Sequence, residues 1–138
     1  ASVLETLGQQ IERTALRKVA SIHERAVALT PLVLINEWPV SLGQARCLAS
    51  DLRTLIALLG FYRDVCEETP ARHSLDLIGD YCVDARGLLV QLGCVEGEKD
   101  IVALSDWCEY NVAPWCMSMA ASLKKLQQRH RRPKDLWP

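Results

Sequence analysis

Apolar residues recur every three or four positions along most of this chain, the spacing that lines one face of an α-helix. In the first segment the row is Leu4, Leu7, Ile11, Ala15, Val19, Ile22, Ala26 and Leu29. Ser2 and Glu5 stand at the spacing of an N-terminal capping box. Thr30-Pro31 predicts the end of this helix, because the residue before a proline avoids the α region. Residues 30 to 40 then read as an apolar connection tucked against the bundle. Leu32 to Ile35 have no partner segment of period two with which to pair as a strand.

The second row is the most regular: Ala45, Leu48, Leu52, Leu55, Leu59, Tyr62 and Cys66. It predicts a helix from Ser41 to Glu67, stopped by Thr69-Pro70, with Gly60 as a point of close helix approach. A third helix is predicted from Ser74 through Leu75, Ile78, Cys82, Ala85, Leu89 and Leu92. Gly93 stands as its terminal glycine, and Cys94 to Lys99 as a polar turn. The fourth opens at Asp100 and carries Ile101, Leu104, Cys108, Val112, Trp115, Met119, Leu123 and Leu126. Pro114 lies within it, lacks a backbone N–H and clashes with the carbonyl four residues back, so this helix is expected to kink or break there. It is expected to fray through Arg129 to Arg132, before Pro133.

Four amphipathic segments joined by short connections predict an all-α fold, an antiparallel up-down four-helix bundle. The chain has 138 residues, 49% apolar and 24% charged, enough for one domain with its own core. Residues 1 to 132 are assigned to that domain and 133 to 138 to a C-terminal tail. The longest apolar run, Leu55 to Tyr62, is far short of the ~20 residues that span a bilayer, and the first residues lack the pattern of a signal peptide.

Six cysteines occur, at 47, 66, 82, 94, 108 and 116. They include no closely spaced pair, and most fall inside helical rows, where free cysteine packs as a small apolar residue. Reduced thiols in a cytoplasmic protein are therefore expected; a disulfide framework in a secreted protein is the alternative. Cys94, in the predicted turn, is the candidate exposed thiol.

The three histidines, His23, His73 and His130, lie in different regions. No paired Glu-x-x-His motif, haem-attachment motif or glycine-rich phosphate loop is present. The expectation is that the chain has no metal, no cofactor and no catalytic residues. Asp76, Asp80 and Asp84, four apart, read as a solvated face of the third helix.

Two groups of residues bear on partners. Phe61, Leu77, Val83 and Val90 lie off the core rows, as do Trp107 and Tyr110, whereas Trp115 lies on its row and is expected in the core. Trp107 and Tyr110 are candidates for a contact surface; Phe61, Leu77, Val83 and Val90, exposed together, make an apolar patch of the sort that marks a protein partner or self-association. Covered by the 30 to 40 connection, these four are ordinary packing. The second group is basic: Lys124, Lys125, Arg129, Arg131, Arg132 and Lys134, with His130 among them. Residues 124 to 138 hold six Lys/Arg against one Asp, while the preceding 123 hold ten against sixteen carboxylates. Such a segment suits nucleic acid, and it also complements the dipole of a helix C-terminus. The function expected is a non-enzymatic protein-protein interaction module, such as a small adaptor, chaperone-like or regulatory bundle, with homodimerisation included. The alternative is a nucleic-acid-associated protein anchored by residues 124 to 134.

Overall fold

The computed structural model describes residues 2–67 and 75–136, with side chains as far as Gln128. Helix α1 spans Val3–Ile35 and helix α2 spans Trp38–Cys66. Helix α3 spans Leu75–Glu98. The fourth rod is α4 (Ile101–Asp106), a π-helical turn (Trp107–Val112) and α5 (Ala113–Leu136) in direct succession. The described residues are all-α, and the contacts between helices fit the expected up-down bundle.

The predicted rows supply most of the core; Leu4 is exposed, Leu7, Leu89 and Ile101 are only partly buried, and Leu88 rather than Leu89 is the buried residue of its turn in α3. Ala15, Val19, Ile22 and Ala26 of α1 face Leu48, Leu52, Leu55 and Leu59 of α2, with Met119 and Leu123 of α5 in the same cluster. The helix starts are also set locally. The Ser2 hydroxyl accepts from the Glu5 amide at 3.1 Å, and the Asp100 carboxylate accepts from the Ala103 amide at 3.0 Å, each satisfying an amide that has no carbonyl within its helix.

The connection expected over residues 30 to 40 is instead a two-residue link, Asn36 and Glu37. Helix α1 continues through Pro31 to Ile35, and α2 opens at Trp38 with Pro39 in its first turn, where a missing amide hydrogen costs nothing. Tertiary contacts override the local bias of Thr30-Pro31. Val33, beyond the proline, is fully buried. The Ser41 hydroxyl donates to the Val33 carbonyl at 3.0 Å, and the Ser105 hydroxyl donates to the Thr30 carbonyl at 2.7 Å.

Gly93 does not end α3. The helix runs on to Glu98, so Cys94 is helical rather than in a turn. Leu92 is buried, Val95 packs on the core, and the Arg46 guanidinium pairs with the Glu96 carboxylate at 3.0 Å, so the α2–α3 contact extends past the glycine. The left-handed residue after the helix is Lys99, at φ 52°.

The fourth rod loses its α-helical regularity just before Pro114, as expected, and the form of the break is a π-helical turn. There the Ala113 amide donates to Cys108, five residues back. The wider turn fits a proline whose ring would clash with the carbonyl four residues earlier. Beyond it the helix continues through Pro133 to Leu136, past the fraying expected at 129 to 132.

Lys99 sits where glycine is favoured, since a side chain in the left-handed region crowds its own carbonyl. Lys99→Gly is expected to raise unfolding free energy by about 0.5 to 1 kcal/mol, measured by urea denaturation. No change, or a loss, would show that the lysine makes a compensating contact.

Candidate interaction surfaces

Helix α3 is the most thinly attached of the long helices. Two indoles tie it to the fourth rod: the Trp107 N–H donates to the Leu88 carbonyl at 2.9 Å, and the Trp115 N–H donates to the Tyr81 carbonyl at 3.1 Å. The acceptors are seven residues apart and the donors eight. The residue inserted by the π turn absorbs that difference, so both indoles meet one face of α3. Tyr81 completes the seam. Its hydroxyl donates to the Ser118 carbonyl at 3.1 Å and lies 2.8 Å from the Ser122 hydroxyl, and its ring meets Trp115 edge-on.

Trp107 was expected on a contact surface. It is buried, at 2% exposure, because the widened turn directs both Trp107 and Cys108 inward. Trp115 is buried, as expected of its row. Phe61, Leu77, Val83, Val90 and Tyr110 are all exposed. Residues 30 to 40 leave them exposed. They do not form one patch. Val83 and Val90 share the outer stripe of α3, seven residues apart. Leu77 lines the groove between α3 and α5, Phe61 stands on the outer face of α2, and Tyr110 stands on the π turn.

The outer stripe of α3 continues as Asp76, Asp80, Val83, Gly87, Val90, Cys94 and Gly97, all exposed. The carboxylates at 76, 80 and 84 are a solvated face, as read from the sequence. A side chain added at Gly87, Gly93 or Gly97 would meet no neighbour within 4 Å, so the bundle's own packing does not call for those glycines. Beside the stripe, Asp80, Tyr81, Asp84, Trp115 and Ser118 line an open groove of about 440 Å³ with Leu77 and Pro114.

One buried polar group escaped the sequence reading. Glu12 is 1% exposed, and its carboxyl accepts from the Tyr62 hydroxyl at 2.7 Å. Burial, then the neighbouring Glu12, push the Tyr62 hydroxyl pKa well above its usual value. Glu12 is flanked one turn away on each side by Gly8 and Ala15, small residues that open room beside it; that spacing was the available signal.

All six cysteines are free thiols. Cys66, Cys82, Cys108 and Cys116 are buried, while Cys47 and Cys94 are exposed. Burial raises the Cys108 pKa to about 11 and that of Cys116 to about 12, and it outweighs the pull of Arg86 and Arg63 on Cys82. Buried protonated thiols are poor nucleophiles. Among the described residues no cluster of His, Cys, Asp and Glu is arranged to hold a metal ion. His23 is half-buried; His73 and the His130 side chain lie outside the described residues.

Of the basic group, Lys124 and Lys125 are exposed on α5. The side chains of Arg129, Arg131, Arg132 and Lys134 lie outside the described set. No described helix is long and apolar enough to cross a membrane. Comparison with protein-family models, with curated proteins and with solved structures returns no match.

Two outcomes follow. Native protein at mild alkaline pH is expected to react quickly with a thiol reagent at two cysteines, 47 and 94, and at six once denatured; more than two fast thiols in the native state would contradict the burial of the rest. Because the folded pKa values of Cys108 and Cys116 are raised, the folded state holds protons that the unfolded chain releases above about 8.5. Stability is therefore complete below that pH and falls as the pH rises toward 11. The urea midpoint is expected to drop between pH 7.5 and about 10, by less in a variant with both cysteines replaced by alanine.

Proposed function

We propose that this chain is a non-enzymatic interaction module that binds a protein partner through the outer face of α3. The observation carrying the proposal is the stripe of Val83, Gly87 and Val90. Its valines are 62% and 68% exposed. Isolated surface valines are common, but a stripe at heptad spacing with a glycine between them suits the close approach of another helix. A partner helix would cover the valines and use the space over Gly87.

Neighbouring chemistry supports a partner with cations. Asp76, Asp80 and Asp84 flank the stripe and its groove, so a basic rim on the partner would be attracted and an acidic one repelled. Helix α3 also suits this role energetically. Gly87 and Gly93, inside the helix, cost about 1 kcal/mol each relative to alanine although a Cβ there would meet no neighbour within 4 Å, and a bound partner would offset that cost.

The test is affinity capture from extract of the source cell, with the intact chain compared against Val83→Glu/Val90→Glu. Both positions are exposed, so the variant is expected to melt as the parent does. A protein retained by the parent and lost at least tenfold with the variant supports the proposal. Equal capture by both would remove α3 as the binding face.

A further inference from the structure

We infer that a second copy of this chain is a partner, docked head to tail: the basic C-terminal segment of one molecule seats on the apolar, acid-rimmed α1–α2 tip of the next. This rests on the interaction-module reading and names a partner for it, on a surface separate from the α3 stripe.

The tip holds the densest group of exposed large apolar residues among those described. Leu32, Leu34 and Ile35 end α1, and Val40 lies in the first turns of α2 just across the two-residue link. The Ser105–Thr30 hydrogen bond sets α4 beside the last turns of α1. Val102, one turn before Ser105, and Leu34, one turn after Thr30, both lie toward the same end, because the two helices are antiparallel. Ile35 is 77% exposed and Val102 59%. Solitary apolar residues are ordinary on a protein surface; five converging on one end of a bundle are the kind of patch a partner covers.

Charge selects the occupant. Glu37, Glu98 and Asp100 are exposed around this end, with Lys99 as their exposed counter-charge. That rim disfavours an anionic surface and favours a cationic segment carrying apolar residues. Residues 124 to 138 have this composition: six Lys/Arg against one Asp, with Leu136 and Trp137 near the terminus.

Geometry makes the contact intermolecular. Helix α1 has 33 residues and spans roughly 50 Å at 1.5 Å per residue. Helix α5 runs from the tip end toward the opposite end and continues to Leu136, ten residues past Leu126, the last buried side chain among those described. The basic segment therefore points away from its own tip and cannot fold back onto it. A tip that it meets is therefore that of a neighbour. A contact between unlike surfaces does not close on itself after two copies, so it builds open chains.

The test is sedimentation velocity of the intact protein from low to high micromolar concentration, with two variants. Ile35→Glu spoils the tip, and Arg129→Glu/Arg131→Glu/Arg132→Glu spoils the tail. The parent is expected to grow beyond two copies at low salt and to dissociate at about 0.5 M salt, where charges are screened within a few Å. Each variant alone is expected to be monomeric, with an unchanged melt for Ile35→Glu. Mixed in equal amounts, they are expected to form a pair and nothing larger, since one intact tip meets one intact tail. A parent that stays monomeric at low salt overturns the inference. So does a mixture that stays monomeric, and so does a tail variant that still pairs with itself, which points to a symmetric tip-to-tip contact. A tail variant that melts earlier without changing association overturns it as well, placing the cations on the acidic groups of their own bundle. A parent that binds duplex DNA through the tail while remaining monomeric has the same consequence. None of these results touches the capture experiment on Val83 and Val90, so the two readings fail separately.

Discussion

Keeping one row of leucines dry is the constraint on which the fold depends. Leu48, Leu52, Leu55 and Leu59 of α2 are completely shielded from water. A single neighbouring helix cannot enclose a row of that length, so α1 and the fourth rod must close over it. Each buried leucine contributes on the order of 1.5 to 3 kcal/mol, comparable in sum to the whole net stability of a small domain, about 5 to 15 kcal/mol. The short α1–α2 link, the Ser41–Val33 bond and the Ser105–Thr30 bond hold the helices in the register that keeps this row covered. Helix α3 closes the remaining side more lightly, through two indole hydrogen bonds and a shorter buried row.

That uneven distribution connects packing to function. The strong part of the bundle, α1, α2 and the fourth rod, can present other surfaces without risk to the core. Helix α3 is rich in glycine and has two valines facing water, and the proposed partner would add contacts there that the molecule does not make for itself. The tip opposite the basic segment is a second such place, for a related reason: a two-residue link leaves the last turn of α1 and the first turn of α2 with apolar side chains and no further chain to cover them. In both places exposed carboxylates border the apolar residues.

The helices and their buried faces were legible because period is a strong signal: the α2 row was read residue for residue. What was not legible arose where tertiary contacts outweighed local preference. Thr30-Pro31 reads as a stop, but burial of Val33 and two serine hydrogen bonds carry the helix through. Gly93 reads as a cap, but Leu92, Val95 and the Arg46–Glu96 pair hold the helix for another turn. Trp107 falls off a strict heptad count because the π turn adds a residue that no count anticipates. Glu12 resembles any surface glutamate until Tyr62, fifty residues away, is brought to it. Of the apolar residues singled out as surface candidates, five are exposed, an outcome the spacing left open against burial beneath residues 30 to 40. Their scatter over three elements was not foreseen, because sequence spacing fixes the face of a helix and not the neighbour beside it.

Amide hydrogen exchange on the intact chain tests the central claim most directly. The amides of Leu48 to Leu59 are expected to be the slowest, exchanging only through global unfolding, while those of α3 from Leu75 to Glu98 exchange through a partial opening of lower free energy. Protection of α3 equal to that of the leucine row, or rapid exchange within the row itself, would contradict the account.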